Sequence, residues 1–143
     1  MAQNVKVCDI SEEVKEKLKK FRFRKDKNVA ALLMKVDTAS QTIVMDGEEH
    51  TDISIEELQE ELPEHQPRFL VISYVRDHGD GRISYPLIFI YICPSGIKTE
   101  LCMMYAGSRN LLQKELGLTK VFEIRDLEDF TEEWLNDKLS FFK

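Results

Sequence analysis

Hydrophobic and polar positions along the chain repeat with two different periods, which predicts that helices and strands alternate. Val14, Leu18 and Phe21 recur at helical spacing after Ser11, a residue type that caps helix N-termini well. We therefore expect a first helix that begins at Ser11 and buries this stripe against a core.

Three more helices are predicted from their end signals. Ser54 and Glu57 stand in the spacing of a capping box at the start of a short helix. The longest helix covers about residues 98–116 and ends at Gly117, because glycine adopts the left-handed conformation that terminates helices. Thr131 is the expected cap of the last helix.

Runs of strand-forming residues separate these helices. The predicted strands cover residues 29–36, 41–45, 68–76, 82–93 and 120–124. A loop rich in Asp and Gly, residues 77–81, predicts a hairpin between the third and fourth of them. Pro86 lacks an amide donor, so we expect it at a sheet edge or a bulge. Residues 87–92 show no polar alternation, which indicates a strand covered on both faces.

Together these elements predict an α/β fold with a mixed central sheet of five to six strands between helices. With 143 residues, 43 % of them hydrophobic and 32 % charged, the composition is that of a globular protein. No linker or repeat divides the chain. We therefore expect one domain over residues 1–143, with residues 1–8 as a flexible N-terminus.

Composition and charge exclude several classes of protein. The longest apolar run, residues 85–93, is too short for a transmembrane span. Three cysteines without a CxxC pattern favour free thiols in the cytosol. The net charge of −6 argues against a nucleic-acid binder, although residues 15–27 form a basic block.

No constellation of catalytic or metal-binding residues is recognisable. His50, His65 and His78 share no metal-ligand spacing with each other or with a cysteine. Phosphate-binding glycine loops and the usual hydrolase motifs are missing from the sequence. We expect neither enzymatic activity nor a metal or other cofactor.

The long helix has the most informative pattern. Its inner face should pack on the sheet and holds Leu101, Tyr105, Ser108, Leu112 and Leu116. The opposite face holds Thr99, Glu100, Met103, Ala106, Gly107, Asn110 and Lys114. An outward methionine beside small residues favours a surface onto which another protein docks, because methionine adapts to irregular pockets.

Several separate motifs resemble the glia maturation factor family. They are KFRFRK at residues 20–25, QPRF at 66–69, DGRISYPL at 80–87, MMYAGS at 103–108, LTKVFEIR at 118–125 and TEEWL at 131–135. The resemblance runs from about residue 5 to the end of the chain. It implies the actin-depolymerising factor (ADF)/cofilin homology fold, which is gelsolin-like and agrees with the predicted architecture.

The resemblance also implies a function and a cellular place. The expected partner is the actin-related protein 2/3 complex, with inhibition of actin nucleation and debranching of filament networks. We expect a monomer that binds actin itself weakly or not at all, binds no membrane, and works in the cytoplasm at the actin-rich cell cortex and protrusions.

The resemblance implies one binding patch, and the basic block at residues 15–27 leads us to expect a second. The first comprises the N-terminus and the long helix: Ala2, Gln3, Asn4, Lys98, Met103, Met104, Gly107, Ser108, Arg109 and Asn110. The second is basic and comprises Lys19, Lys20, Arg22, Arg24 and Lys25. We expect the hairpin at residues 78–81 to add to this second contact. Ser108 conflicts with the helical wheel, which turns it inward.

Three other functions stay open at this point: cofilin-like binding and severing of filaments, modulation of a kinase in signalling, and hydrolysis with Cys102 as nucleophile. Glu100 and Cys102 stand where cofilin-type relatives carry basic residues, which argues against strong binding to ordinary actin. Residues 1–10 contain no Ser or Thr, so regulation by phosphorylation at the extreme N-terminus is not expected.

Overall fold

A mixed β-sheet with helices on both faces forms the centre of the computed structural model, which describes residues 9–22, 29–47, 49–63, 65–77, 79–117 and 120–139. The strands in this part of the chain are Asp9–Ile10 (β1), Ala30–Asp37 (β2), Thr42–Met45 (β3), His50–Thr51 (β4), Arg68–Ser73 (β5), Arg76–Asp77 (β6), Ile83–Ser84 (β7), Leu87–Ile92 (β8) and Val121–Ile124 (β9). The α-helices are Glu12–Arg22 (α1), Ile55–Glu61 (α2), Thr99–Leu116 (α3) and Glu132–Leu139 (α4). Within the described ranges, none of the helices has the length and apolar character needed to cross a membrane.

The sheet confirms the predicted mixed α/β architecture. Its strands lie in the order β1-β3-β2-β5-β8-β9, with β4 paired to β2. The two outer pairs, β1 with β3 and β8 with β9, are parallel, and the pairs between them are antiparallel. Seven strands rather than five or six belong to the sheet because β1 and β4 have two residues each, too few to show a hydrophobic period.

Two predicted strands are shorter than expected. The strand predicted over residues 68–76 divides into β5 and β6, and the one over 82–93 divides into β7 and β8. Pro86 lies between β7 and β8, where it interrupts the second strand because it has no N–H to donate, and its carbonyl accepts a hydrogen bond from Tyr74 N at 3.0 Å. The short strands β6 and β7 form a separate antiparallel hairpin, as the 77–81 loop predicts.

Alternating side chains of β2 divide the core into two layers. Ala30, Leu32 and Met34 pack with buried residues of α1 and α3 on one face. Ala31 and Leu33 pack with α2 and α4 on the other face. Successive strand residues point to opposite faces, so one continuous apolar strand serves both layers. This confirms the predicted sheet covered on both sides.

The predicted helix ends are confirmed. Ser11 Oγ accepts from the Val14 N–H at 3.2 Å at the start of α1. Ser54 and Glu57 form the reciprocal capping box of α2, at 3.1 and 3.2 Å. Gly117 ends α3 in the left-handed conformation, with φ of 64°. Thr131 Oγ1 accepts a backbone N–H at 3.1 Å in the first turn of α4.

Tyr105 anchors α3 to the sheet. The ladder between β2 and β5 ends at the pair Met34–Phe69, and beyond that point the Val36 N–H donates to Tyr105 Oη at 2.9 Å. The ring of Tyr105 packs 5.1 Å from that of Phe69, measured between centroids. The tyrosine therefore satisfies a buried backbone donor and fills the core at the same time.

We predict that Tyr105→Phe lowers the free energy of unfolding by about 1–3 kcal/mol, because the buried Val36 N–H loses its acceptor while the ring stays. Urea unfolding measures the difference. Tyr85→Phe, at a partly exposed position between β7 and β8, is the matched control and should change stability by less than about 0.5 kcal/mol. Equal effects of the two variants would show that the hydrogen bond does not hold α3 in place.

Candidate functional site

The inner face of α3 follows the predicted helical wheel. Tyr105, Ser108 and Leu112 are buried, and Leu101 packs partly against the same core cluster. Ser108 has no exposed surface, and its Oγ donates to the Met104 carbonyl one turn earlier at 2.8 Å. The prediction of Ser108 as a binding residue is therefore wrong, because its hydroxyl faces the core and is not available at the surface.

The outer face of α3 presents one large apolar side chain to solvent. Met103 is 55 % exposed, which distinguishes it from the other methionines in the described residues. Ala106 and Gly107 beside it are half-buried, whereas Met104 packs partly against the core. We call the outer face the α3 surface, defined as Lys98, Thr99, Glu100, Met103, Ala106, Gly107 and Asn110.

Arg109 borders the α3 surface and is bound to the sheet. Its Nη1 lies 3.2 Å from Glu123 Oε1, and its guanidinium lies 5.6 Å from the centroid of the Tyr91 ring. Glu123 also accepts a hydrogen bond from Arg125 Nε at 3.1 Å. One carboxylate thus holds two guanidinium groups at the border of the α3 surface.

Glu123 and Arg125 were not among the predicted site residues. The alternation of side chains along β9 is the sequence signal that places them on the α3 side of the sheet. Val121 packs in the core layer beneath α3, and Phe122 packs in the opposite layer. Because side chains alternate along a strand, Glu123 shares the face of Val121. The pairing of Tyr91 with Glu123 in the parallel ladder then places both beneath Arg109. This pairing joins two distant strands, so the spacing of residues along the sequence does not predict it.

A groove of about 410 Å³ runs between α3 and the end of β8. Its lining includes Met103, Ala106, Arg109, Cys93 and Cys102. Burial, followed by a hydrogen bond with Cys93, raises the pKa of the Cys102 thiol to about 11. A nucleophilic cysteine has a lowered pKa, so this environment is the opposite of the one that the hydrolase alternative requires.

The basic patch is described only in part. Lys19 and Lys20 are exposed near the end of α1, which packs beside α3 on the same face of the sheet. Phe21 is buried with 3 % exposure, which confirms the predicted apolar stripe. Other predicted binding residues lie outside the described residues: Ala2, Gln3, Asn4, Arg24, Lys25 and the side chain of Arg22. His78, in the loop predicted as a hairpin tip, does so as well.

Clusters of three or more metal-ligating side chains are not found in the part of the chain that the structure describes. His50 lies in the short strand β4, and His65 is exposed in the segment before β5. Among the described residues, the main exposed apolar feature of α3 is Met103.

The fold and the placement of α3 are those of the ADF/cofilin homology class. Residues 7–140 match the sequence profile of the family described as cofilin/tropomyosin-type actin-binding protein. The human protein glia maturation factor beta is 56 % identical over 142 residues, with 99 % of each chain covered. Glia maturation factor of Drosophila melanogaster is 55 % identical over 133 residues, which are 93 % of this chain and 96 % of that one.

A solved structure agrees with these relatives. The solution structure of glia maturation factor from Caenorhabditis elegans superposes with a TM-score of 0.82 at 45 % identity, covering 96 % of this chain and 99 % of that one. The chain belongs to the glia maturation factor family, within the ADF/cofilin homology class. The predicted fold and family are both confirmed.

Proposed function

We propose that this protein binds the actin-related protein 2/3 complex, inhibits actin nucleation and promotes debranching of filament networks, and that it acts by binding, without catalysing a reaction. The observation that carries the proposal is the exposure of Met103 on α3 in a member of the glia maturation factor family. We place this activity in the cytoplasm, at the actin-rich cortex and protrusions, and assign it to a monomer.

The α3 surface suits a protein partner because it combines an exposed apolar side chain with neighbouring small side chains. Covering the 55 % exposed Met103 removes apolar area from water. The small side chains of Ala106 and Gly107 allow a partner's backbone to approach closely. Tyr105 and Leu112 hold the opposite side of the helix in the core, so little order has to be created on binding.

Charge on the α3 surface favours an actin-related subunit over actin itself. Glu100 is exposed in the first turn of α3, where cofilin-type relatives carry a basic residue. An acid at this point repels the acidic surface of actin instead of attracting it. Cofilin-like severing is therefore the second candidate, and strong co-sedimentation with actin filaments alone would favour it.

Debranching needs only a difference in affinity between two states of the partner. If the protein binds the complex more tightly when it is detached from a branch, binding shifts the population toward detachment. No nucleotide hydrolysis by this chain is involved. Lys19 and Lys20 on α1 supply a second, electrostatic contact, because α1 lies beside α3 on the same face of the sheet.

We predict that Met103→Asp weakens binding to the purified actin-related protein 2/3 complex by about 1–3 kcal/mol, because it places a charge at the apolar anchor. Equilibrium binding with labelled protein measures the change. Thr51→Asp adds the same charge at an exposed site in β4, at the far end of β2 from the Val36–Tyr105 contact, and is the matched control. Arg109→Glu is a poorer test, since it also opposes Glu123.

An unchanged affinity of folded Met103→Asp would remove the α3 surface from the interface. Loss of binding by Met103→Asp and Thr51→Asp alike would show that net charge, and not the anchor, controls the interaction.

We further predict that Lys19→Gln with Lys20→Gln slows debranching by roughly two- to tenfold at low ionic strength and makes the remaining activity less sensitive to salt. Time-lapse microscopy of branched networks provides the rate. Lys15→Gln on the same helix is the control, because Lys15 lies outside the predicted basic patch and 3.8 Å from Glu12. A salt dependence identical in all three proteins would rule out the second contact.

A further inference from the structure

Cys93 and Cys102 come together where β8 meets α3. Cys93 follows β8 directly and shares the face of Phe89 and Tyr91, because side chains alternate along an extended segment. Cys102 lies in the first turn of α3, above this face. Their Sγ atoms are in direct hydrogen-bonding contact at 2.7 Å, whereas the bond in a disulfide is about 2.05 Å.

The backbones that carry the two thiols are held by hydrogen bonds. The Cys93 N–H donates to the Ile124 carbonyl of β9 at 2.9 Å. The Cys102 carbonyl accepts from Tyr91 Oη at 3.2 Å, and its N–H donates to the Lys98 carbonyl at 3.1 Å. Burial raises the pKa of Tyr91 far above its ordinary value, so the hydroxyl keeps the proton that it donates. The fold thus positions both sulfur atoms before any bond forms between them.

Both thiols are also accessible to small molecules. Each is partly exposed, and both line the groove of about 410 Å³ beside Met103. A pair of thiols that is held close and open to solvent is the arrangement in which thiol–disulfide exchange closes a ring efficiently.

We propose that Cys93 and Cys102 are a modification site, at which exchange with a low-molecular-weight disulfide such as oxidised glutathione forms a reversible bond between the end of β8 and the first turn of α3. The two protein thiols are oxidised by two electrons, and the glutathione disulfide is reduced to two thiols.

The exchange takes two steps. The Cys93 thiolate attacks one sulfur of oxidised glutathione, so that a mixed disulfide forms and one glutathione thiolate leaves and takes up a proton. Cys102 then loses its proton and its thiolate attacks the Cys93 sulfur; the second glutathione leaves as a thiolate that takes up a proton, and the protein disulfide closes. We assign the first attack to Cys93 because burial raises the pKa of the Cys102 thiol and so disfavours its thiolate.

The site does not depend on the proposed partner, since its chemistry requires only the two thiols and the groove. Closure constrains a loop of about ten residues and should raise the melting temperature by roughly 5–10 °C. Reduction reverses the change.

The test uses full-length protein with Cys8→Ser, which removes the third cysteine from competition. After equilibration in buffers of reduced and oxidised glutathione, intact mass and peptide mapping identify the products. We expect one species that has lost two hydrogens and links residues 93 and 102. Cys93→Ser and Cys102→Ser in the same background are the controls, and each should instead carry one glutathione on the remaining thiol.

Glutathione adducts without a 93–102 link in the parent protein, even in excess oxidised glutathione, would overturn the assignment. A melting temperature that falls on closure would do so as well, because it would show that the fold must distort to form the bond. Protein with wild-type Cys8 should give the same 93–102 link, and a bond from Cys8 to either residue in its place would contradict the proposal.

Discussion

The hydrogen bond from the Val36 N–H to Tyr105 Oη ties the longest helix to the sheet, together with the apolar packing of its inner face. It joins β2, the strand at the centre of the fold, to the middle of α3, at the point where the ladder with β5 has ended. A buried backbone donor at this point needs an acceptor, and the Tyr105 hydroxyl from the covering helix supplies it. Ring packing against Phe69 then sets the rotation of α3 about its own axis.

That rotation decides which residues of α3 meet solvent. With Tyr105, Ser108 and Leu112 turned into the core, Met103 and Glu100 point outward and Arg109 reaches the edge of the sheet. The α3 surface therefore follows from core packing, although the residues that form it contribute little to the core. The same rotation brings Cys102 over the end of β8, so the thiol pair and the apolar anchor occupy adjoining parts of one groove.

Local sequence patterns predicted most helices and strands and the two faces of α3, because hydrophobic periodicity and helix capping depend on residues only a few positions apart. Ser54 with Glu57, Gly117 and the buried stripe of α1 are examples. The wheel also placed Ser108 inward, against its position in the family motif. Pairings between distant residues could not be predicted: Arg109 with Glu123, and Cys93 with Cys102, depend on the register of β8 with β9 and on the placement of α3. The two-residue strands β1 and β4 escaped prediction because each spans a single hydrophobic repeat, which is too short to show alternation.

The central claim is that a protein partner covers the side of α3 that the Tyr105 anchor turns outward. Methionine oxidation footprinting tests it directly, since Met103 is 55 % exposed whereas Met34 is fully buried and serves as an internal reference. The protein is treated briefly with a methionine-oxidising reagent, free and in complex with the actin-related protein 2/3 complex, and sulfoxide at each site is measured by mass spectrometry. The account predicts that the complex slows oxidation of Met103 several-fold and leaves Met34 unreactive in both states. Oxidation of Met103 at the same rate in the bound and free protein would contradict it.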